Sequence, residues 1–162
     1  MPIVQINPVI NHDSSKWCAL KYPGHKHGCP NLAKGCQRNI TYFDNYYDLS
    51  KPVYAVYTTF DLGAHVEKMR KKHPNWSMRQ LRNLLYWQGT ARKNFRLIVK
   101  KFLEDYPDYD ICSPEGMGVD VTATMATVGI KLDWPPTKLT YLIVFAGIKN
   151  PKCKKGRTVV LI

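Results

Sequence analysis

Two regimes of hydrophobic patterning alternate along the chain: short β-branched or aromatic runs, and longer stretches with a three-to-four-residue repeat. Ile3 to Ile6, held between Pro2 and Pro8, predicts a short strand. Val53 to Phe60 is β-branched and aromatic throughout and predicts a second. Leu139 to Ala146 is a continuous apolar run of strand length, which implies burial on both faces, and Thr158 to Ile162 predicts a last strand.

The helical regime begins at Asp61, a side chain suited to capping the segment LGAHVEKMRKKH. There Leu62, Val66 and Met69 share a face, His65 lies beside them, and Pro74 closes the stretch. From Ser77 onward, apolar residues recur at Met78, Leu81, Leu85, Ala91, Phe95, Ile98 and Phe102, broken only around Gln88. The spacing predicts an amphipathic helix with a basic outer surface, in which Gly89 marks a kink, a junction of two helices or a close backbone approach. Ser113-Pro114-Glu115 has the form of a helix start. The helix it predicts turns Val121, Met125 and Val128 inward and ends at Gly129. Together these elements predict an α/β fold: a single small domain with a mixed sheet of about four strands, two to four helices and a Cys-rich loop near the N-terminus. A length of 162 residues suits one such domain.

Charge changes this picture. The formal net charge is +12, and it is unevenly spread. Lys68 to Lys101 holds eleven Lys and Arg, with the nearest acid, Glu67, just outside, and Lys149 to Arg157 adds five more. Glu104 to Asp120 carries six of the twelve acids. A chain segregated in this way has a positive face, which attracts nucleic acid or another polyanion, or else simply confers solubility. No apolar run approaches the roughly 20 residues of a membrane helix, so no membrane partner is expected. The first residues lack the basic and apolar regions of a signal peptide, so the expected location is cytoplasmic.

The candidate chemistry is concentrated between Trp17 and Cys36, where three of five cysteines and two of five histidines fall in a segment broken by Pro23, Gly24, Gly28 and Pro30. Thiolates and imidazoles this dense are what a metal site asks of a loop. The odd cysteine count argues against a disulfide framework. Cys18, Cys29 and Cys36 are separated by ten and six residues, a spacing that matches neither the paired Cys-x-x-Cys of zinc ribbons nor the tight run of bacterial ferredoxins. Cys112, just ahead of the expected helix start at Ser113, would have its thiol pKa lowered by the helix N-terminus, making it a credible further ligand. Cys153 has cationic neighbours but nothing that ties it to the loop.

Trp17-Cys18, Tyr22-Pro23-Gly24-His25, Gly28-Cys29-Pro30-Asn31, Tyr86-Trp87-Gln88, the segment Pro114 to Val121 and Trp134-Pro135-Pro136 occur in an order that resembles the cysteine-rich predicted metal-binding proteins of archaea and anaerobic bacteria. The resemblance runs from residue 17 to about 147. It implies a metal or iron-sulfur site held by cysteines, here Cys18, Cys29 and Cys36, with Cys112 ahead of the PEGMGVDV segment. It also directs attention to Gly116 and Gly118, whose backbone amides at a helix start are expected to receive an anion or cluster sulfides. Tyr86, Trp87 and Gln88 are open to stacking on a base or to burial in the core.

The expected function is therefore a cytosolic metal-binding protein, with Cys18, Cys29, Cys36 and Cys112 holding an iron-sulfur cluster of the four-iron type. An anionic or nucleotide ligand would be contacted by residues among His25, His27, Arg38, Gln88, Arg92, Gly116 and Gly118. The competing expectation is a zinc-stabilised nucleic-acid-binding protein. In that case Cys18, His25 or His27, Cys29 and Cys36 form the zinc site and the basic helix Ser77 to Lys101 contacts phosphates.

Overall fold

The computed structural model describes residues 2–21, 26–29 and 41–153. Four strands, β1 (Ile3–Ile6), β2 (Val53–Asp61), β3 (Asp110–Cys112) and β4 (Leu139–Gly147), form one sheet in the order β1-β2-β4-β3. The helices are α1 (Phe43–Tyr46), α2 (Leu62–Lys72), α3 (Met78–Leu81), α4 (Gln88–Asp105) and α5 (Val121–Thr127). Shorter 3-10 segments cover His12–Ala19, Leu84–Tyr86 and Glu115–Met117. The α/β architecture with four strands is as expected, but every pairing is antiparallel, so the sheet is not mixed. The end of β2 pairs with the start of β4 (Asp61 with Leu139): the intervening helices return the chain to the point where it left, and β4 runs back along β2. The strand expected at Thr158 to Ile162 lies outside the described residues.

Side chains alternate across a strand, so the register sorts them onto two faces. Tyr54, Val56, Leu142, Val144, Ala146 and Ile111 share one face and pack with Phe95, Val99 and Phe102 of α4. Val53, Ala55, Phe145 and Cys112 share the other with Ile6, Phe43, Met117, Val121 and Met125. The continuous apolar run of β4 follows directly. As a central strand it is covered on both sides, and Val144, Phe145 and Ala146 are all buried.

Asp61 caps α2 as its position implied, its Oδ1 accepting from the Ala64 N–H at 2.8 Å. Leu62 and Val66 are buried beneath it. The long helix from Ser77 to Lys101 is not continuous. Ser77 and Gln80 form a reciprocal capping box over α3, which stops at Leu81, and the Asn83 side chain then accepts from the Leu85 N–H in a 3-10 turn before α4 starts at Gln88. Packing explains the interruption. Leu81, Trp87 and Ala91 are all buried in one cluster, yet residues six apart on an unbroken helix point about 120° from each other, and the break between Leu81 and Trp87 brings both to the same side. Leu85, assigned to the apolar face by its spacing, is thrown outward instead and is 85% exposed. Trp87 stacks on Phe60 at 4.8 Å and its Nε1 donates to the Arg82 carbonyl at 3.3 Å.

The helix expected from Ser113 is likewise divided. Pro114 leads into the 3-10 turn Glu115–Met117, and α5 begins only at Val121, capped by Asp120, whose Oδ1 accepts from Ala123 N–H at 2.8 Å. The buried Thr124 hydroxyl donates to the Asp120 carbonyl and accepts from the Val9 N–H, which fastens the N-terminal segment to α5.

Phe102 is fully buried and stacks on Tyr106 at 4.7 Å, with Tyr54 and Tyr109 at its edge. Phe102→Ala is expected to cost about 3–5 kcal/mol in urea unfolding, with little change in the unfolding slope.

Candidate functional site

The cysteine-bearing N-terminal segment is seated on the stretch that follows Cys112. Asn11 caps the 3-10 helix His12–Ala19, and its own N–H donates to the Gly118 carbonyl at 2.8 Å. Ser14, fully buried, directs its hydroxyl at the Glu115 carbonyl (3.4 Å). The His12 ring stacks on Tyr42 at 3.9 Å, and its Nε2 lies 3.1 Å from both carboxylate oxygens of Asp44. Gly118 makes this docking sterically feasible. Its φ is +80°, and a Cβ there would stand 3.0 Å from His12 Cα and from the Tyr42 ring.

Cys18 lies near the end of this 3-10 helix, and the chain then comes back to it: the Cys29 N–H donates to the Cys18 carbonyl at 2.7 Å. Gly28, with φ +82°, permits the return, since a Cβ there would lie 2.6 Å from the Cys18 carbonyl oxygen. Two thiol-bearing residues eleven positions apart thus become backbone neighbours, with His27 exposed beside them. Cys36, His25 and Arg38 lie outside the described residues.

Cys112 behaves otherwise than its sequence context implied. It ends β3 rather than starting a helix, and the register turns its side chain into the sheet's covered face, where it is 2% exposed. Burial pushes its thiol pKa up, opposite to the expected lowering, because a thiolate there would lose its hydration; the nearby carboxylates of Glu115 and Asp110 act in the same direction. The Tyr47 hydroxyl is buried beside it and faces the thiol, and its pKa too is raised, chiefly by burial and then by the neighbouring Cys112. Among the described residues, no three His, Cys, Asp or Glu side chains converge as a metal site, so Cys18, Cys29 and Cys112 do not form one together.

The expected anion cradle at Gly116 and Gly118 is also altered. Gly116 lies within the 3-10 turn, and Gly118 closes it with a left-handed conformation. The Gly118 N–H is used by the Glu115 carbonyl, which removes it as an open donor.

The basic residues gather in one helical layer. α4 packs on β2 and β4, α2 on β4 and α3 on α2, all against the same side of the sheet. On α4, Ala91, Phe95, Val99 and Phe102 face inward while Arg92, Lys93, Arg96 and Lys100, and also Leu97, are exposed; Gln88, its first residue, is half-buried. Lys68, Arg70, Lys71, Lys72 and Arg79 add further exposed cations from α2 and α3. Lys100 meets a carboxylate, Glu104 at 3.8 Å, and among the described residues Arg92, Lys93, Lys68, Arg70, Lys71, Lys72 and Arg79 form no salt bridge. Aromatic rings sit among the cations: His73 stacks on Trp76 at 3.9 Å, and Trp76 meets Tyr86 at 5.2 Å. Of the two rings in Tyr86-Trp87, the tryptophan is core and the tyrosine is half-exposed.

Sequence reasoning missed His12, Tyr42 and Asp44, whose proximity depends on tertiary contacts across about 30 residues, and the His73–Trp76 pair, for which the ring spacing around Pro74 was the available signal. No described helix is long and apolar enough to cross a membrane. No family model, curated protein or solved structure matches the chain.

The buried Cys112 thiol is expected to escape iodoacetamide at pH 8 in the folded protein and to react on unfolding, as peptide mass spectrometry would show. Its raised pKa also has a sign. Below the ordinary thiol range both states hold the proton. Above about pH 8.5 the unfolded chain releases it while the folded chain retains it, so folding stability falls as pH rises. Replacing Cys112 by Ala is expected to flatten this alkaline limb in pH-dependent urea titrations.

Proposed function

We propose that the protein binds nucleic acid through the layer formed by α2, α3 and α4. The observation that supports this reading is the collection of exposed cations on one side of the sheet, among which Arg92, Lys93, Lys68, Arg70, Lys71, Lys72 and Arg79 form no salt bridge among the described residues. Like charges held together on one surface repel, and a phosphate backbone neutralises them while releasing its own condensed counterions. Arg92 and Lys93, on adjacent exposed positions of α4, are the contacts most accessible to test.

A second reading is favoured by the backbone closure of Cys29 onto Cys18. On it, the N-terminal segment holds a metal, with Cys18, Cys29 and Cys36 as thiolate ligands. The buried, protonated Cys112 favours a set completed by His25 or His27, a donor combination suited to a structural zinc. A four-iron cluster using Cys112 instead requires that thiol to leave the sheet's core and ionise. The two readings are compatible, since a zinc-closed loop on one side of the sheet leaves the helical layer free.

Anisotropy titrations with a labelled oligonucleotide are expected to show log affinity falling linearly with log salt. Arg92→Gln and Lys93→Gln are each expected to reduce the slope by about one. Absence of binding at low salt would refute the nucleic-acid reading. For the loop, metal analysis and visible absorption after anaerobic purification are expected to give about one zinc per chain, lowered by Cys18→Ser. Iron with a visible chromophore would instead indicate a cluster, and a metal-free protein would end the second reading.

A further inference from the structure

The cationic layer carries a second feature that charge alone does not require. At the break between α3 and α4, Leu85 is 85% exposed and Tyr86 is 50% exposed, and the Tyr86 ring lies against Trp76, which stacks in turn on His73. The 3-10 turn Leu84–Tyr86 puts them there: the break that buries Leu81 and Trp87 turns Leu85 outward. Arg79 of α3 and Arg82, which follows it, come just before this turn in the chain, and neither meets a carboxylate among the described residues. A surface that served only solubility, or that met only the phosphates of a duplex, has no use for an exposed leucine and an open aromatic face, because each leaves apolar area in water.

The occupant that satisfies both features has flat apolar faces joined by negative charges. Single-stranded nucleic acid has this chemistry, whereas a duplex keeps its bases stacked on one another and offers the phosphates alone. Resting on the nucleic-acid reading above, we infer that Tyr86, backed by Trp76 and His73 and flanked by Leu85, is a stacking platform for an unpaired base, with the neighbouring arginines holding the adjacent phosphates. The contact with Trp76, itself stacked on His73, restricts the Tyr86 ring, so little side-chain freedom is lost when a base settles on its exposed part. The site is tolerant of sequence, since every base presents a π-face.

The test compares labelled oligo(dT) with a hairpin duplex and with poly-glutamate, by anisotropy at low salt. The parent protein is expected to prefer the single strand. Tyr86→Leu keeps apolar bulk and removes the ring; it is expected to weaken oligo(dT) about tenfold and leave the duplex unchanged. Tyr86→Trp is expected to bind oligo(dT) at least as tightly as the parent, and this variant decides the matter if Tyr86→Leu proves unfolded by circular dichroism. The inference is overturned, with the broader reading intact, if Tyr86→Leu binds oligo(dT) as the parent does, if single strand and duplex weaken equally, or if Tyr86→Trp binds oligo(dT) more weakly. Poly-glutamate bound as tightly as oligo(dT) would overturn it in favour of an acidic polypeptide partner. Failure of the parent to bind either nucleic acid would remove the broader reading as well.

Discussion

The pairing of β2 with β4 is the constraint on which the other elements depend. It runs in register from Tyr54 opposite Ala146 to Asp61 opposite Leu139, and it supplies both surfaces against which the helices bury themselves. Neither covering layer is self-sufficient. The four-residue helices α1 and α3 are too short to persist alone, and α4 gains its place by laying Phe95, Val99 and Phe102 on Val56 and Val144. Because side chains alternate along each strand, a one-residue slip of this register would exchange the two faces and expose both sets of contacts.

That alternation also shows where sequence reasoning reached its limit. Local signals were legible: Val53 to Phe60 and Leu139 to Ala146 are dominated by β-branched, aromatic and aliphatic residues, and Asp61 caps the helix that follows it. Breaks within helices were legible only in part: Gly89 suggested a kink or junction, but the break falls just before it, between Leu81 and Gln88, where tertiary demand sets it. The segment around Leu85 keeps an acceptable helical repeat, and only the requirement that Leu81 and Trp87 reach the same cluster interrupts it. Cys112 was misread for a related reason. Ser113-Pro114 leads into a 3-10 turn where a helix start was expected, strand pairing with Phe145 claims the residue before it, and the environment of the thiol is set by β4 rather than by the turn. The proximity of Cys18 to Cys29 lay between these cases: the density of cysteine was visible, whereas the closure depends on Gly28 adopting a positive φ.

The same sheet separates two kinds of chemistry. Cations and exposed rings belong to the layer of α2, α3 and α4, while Cys112 and the residues that seat the N-terminal segment belong to the cluster on the opposite face. Contacts such as Asn11 with Gly118 and His12 with Asp44 hold the cysteine-bearing segment to the body of the domain without involving the basic helices.

The order of the strands has one more consequence, for how copies of the chain meet. The long apolar strands occupy the middle of the sheet, and the described edges are β1, four residues between prolines, and β3, three residues. An open edge is a template on which another chain extends a ladder, and its reach scales with its length. Both edges also stop short of their neighbours, β1 pairing only Val53 to Val56 of β2 and β3 only Phe145 to Gly147 of β4. Among the described residues the rest of each long strand is therefore paired on one side alone, and it falls to charge repulsion between crowded molecules to oppose its extension.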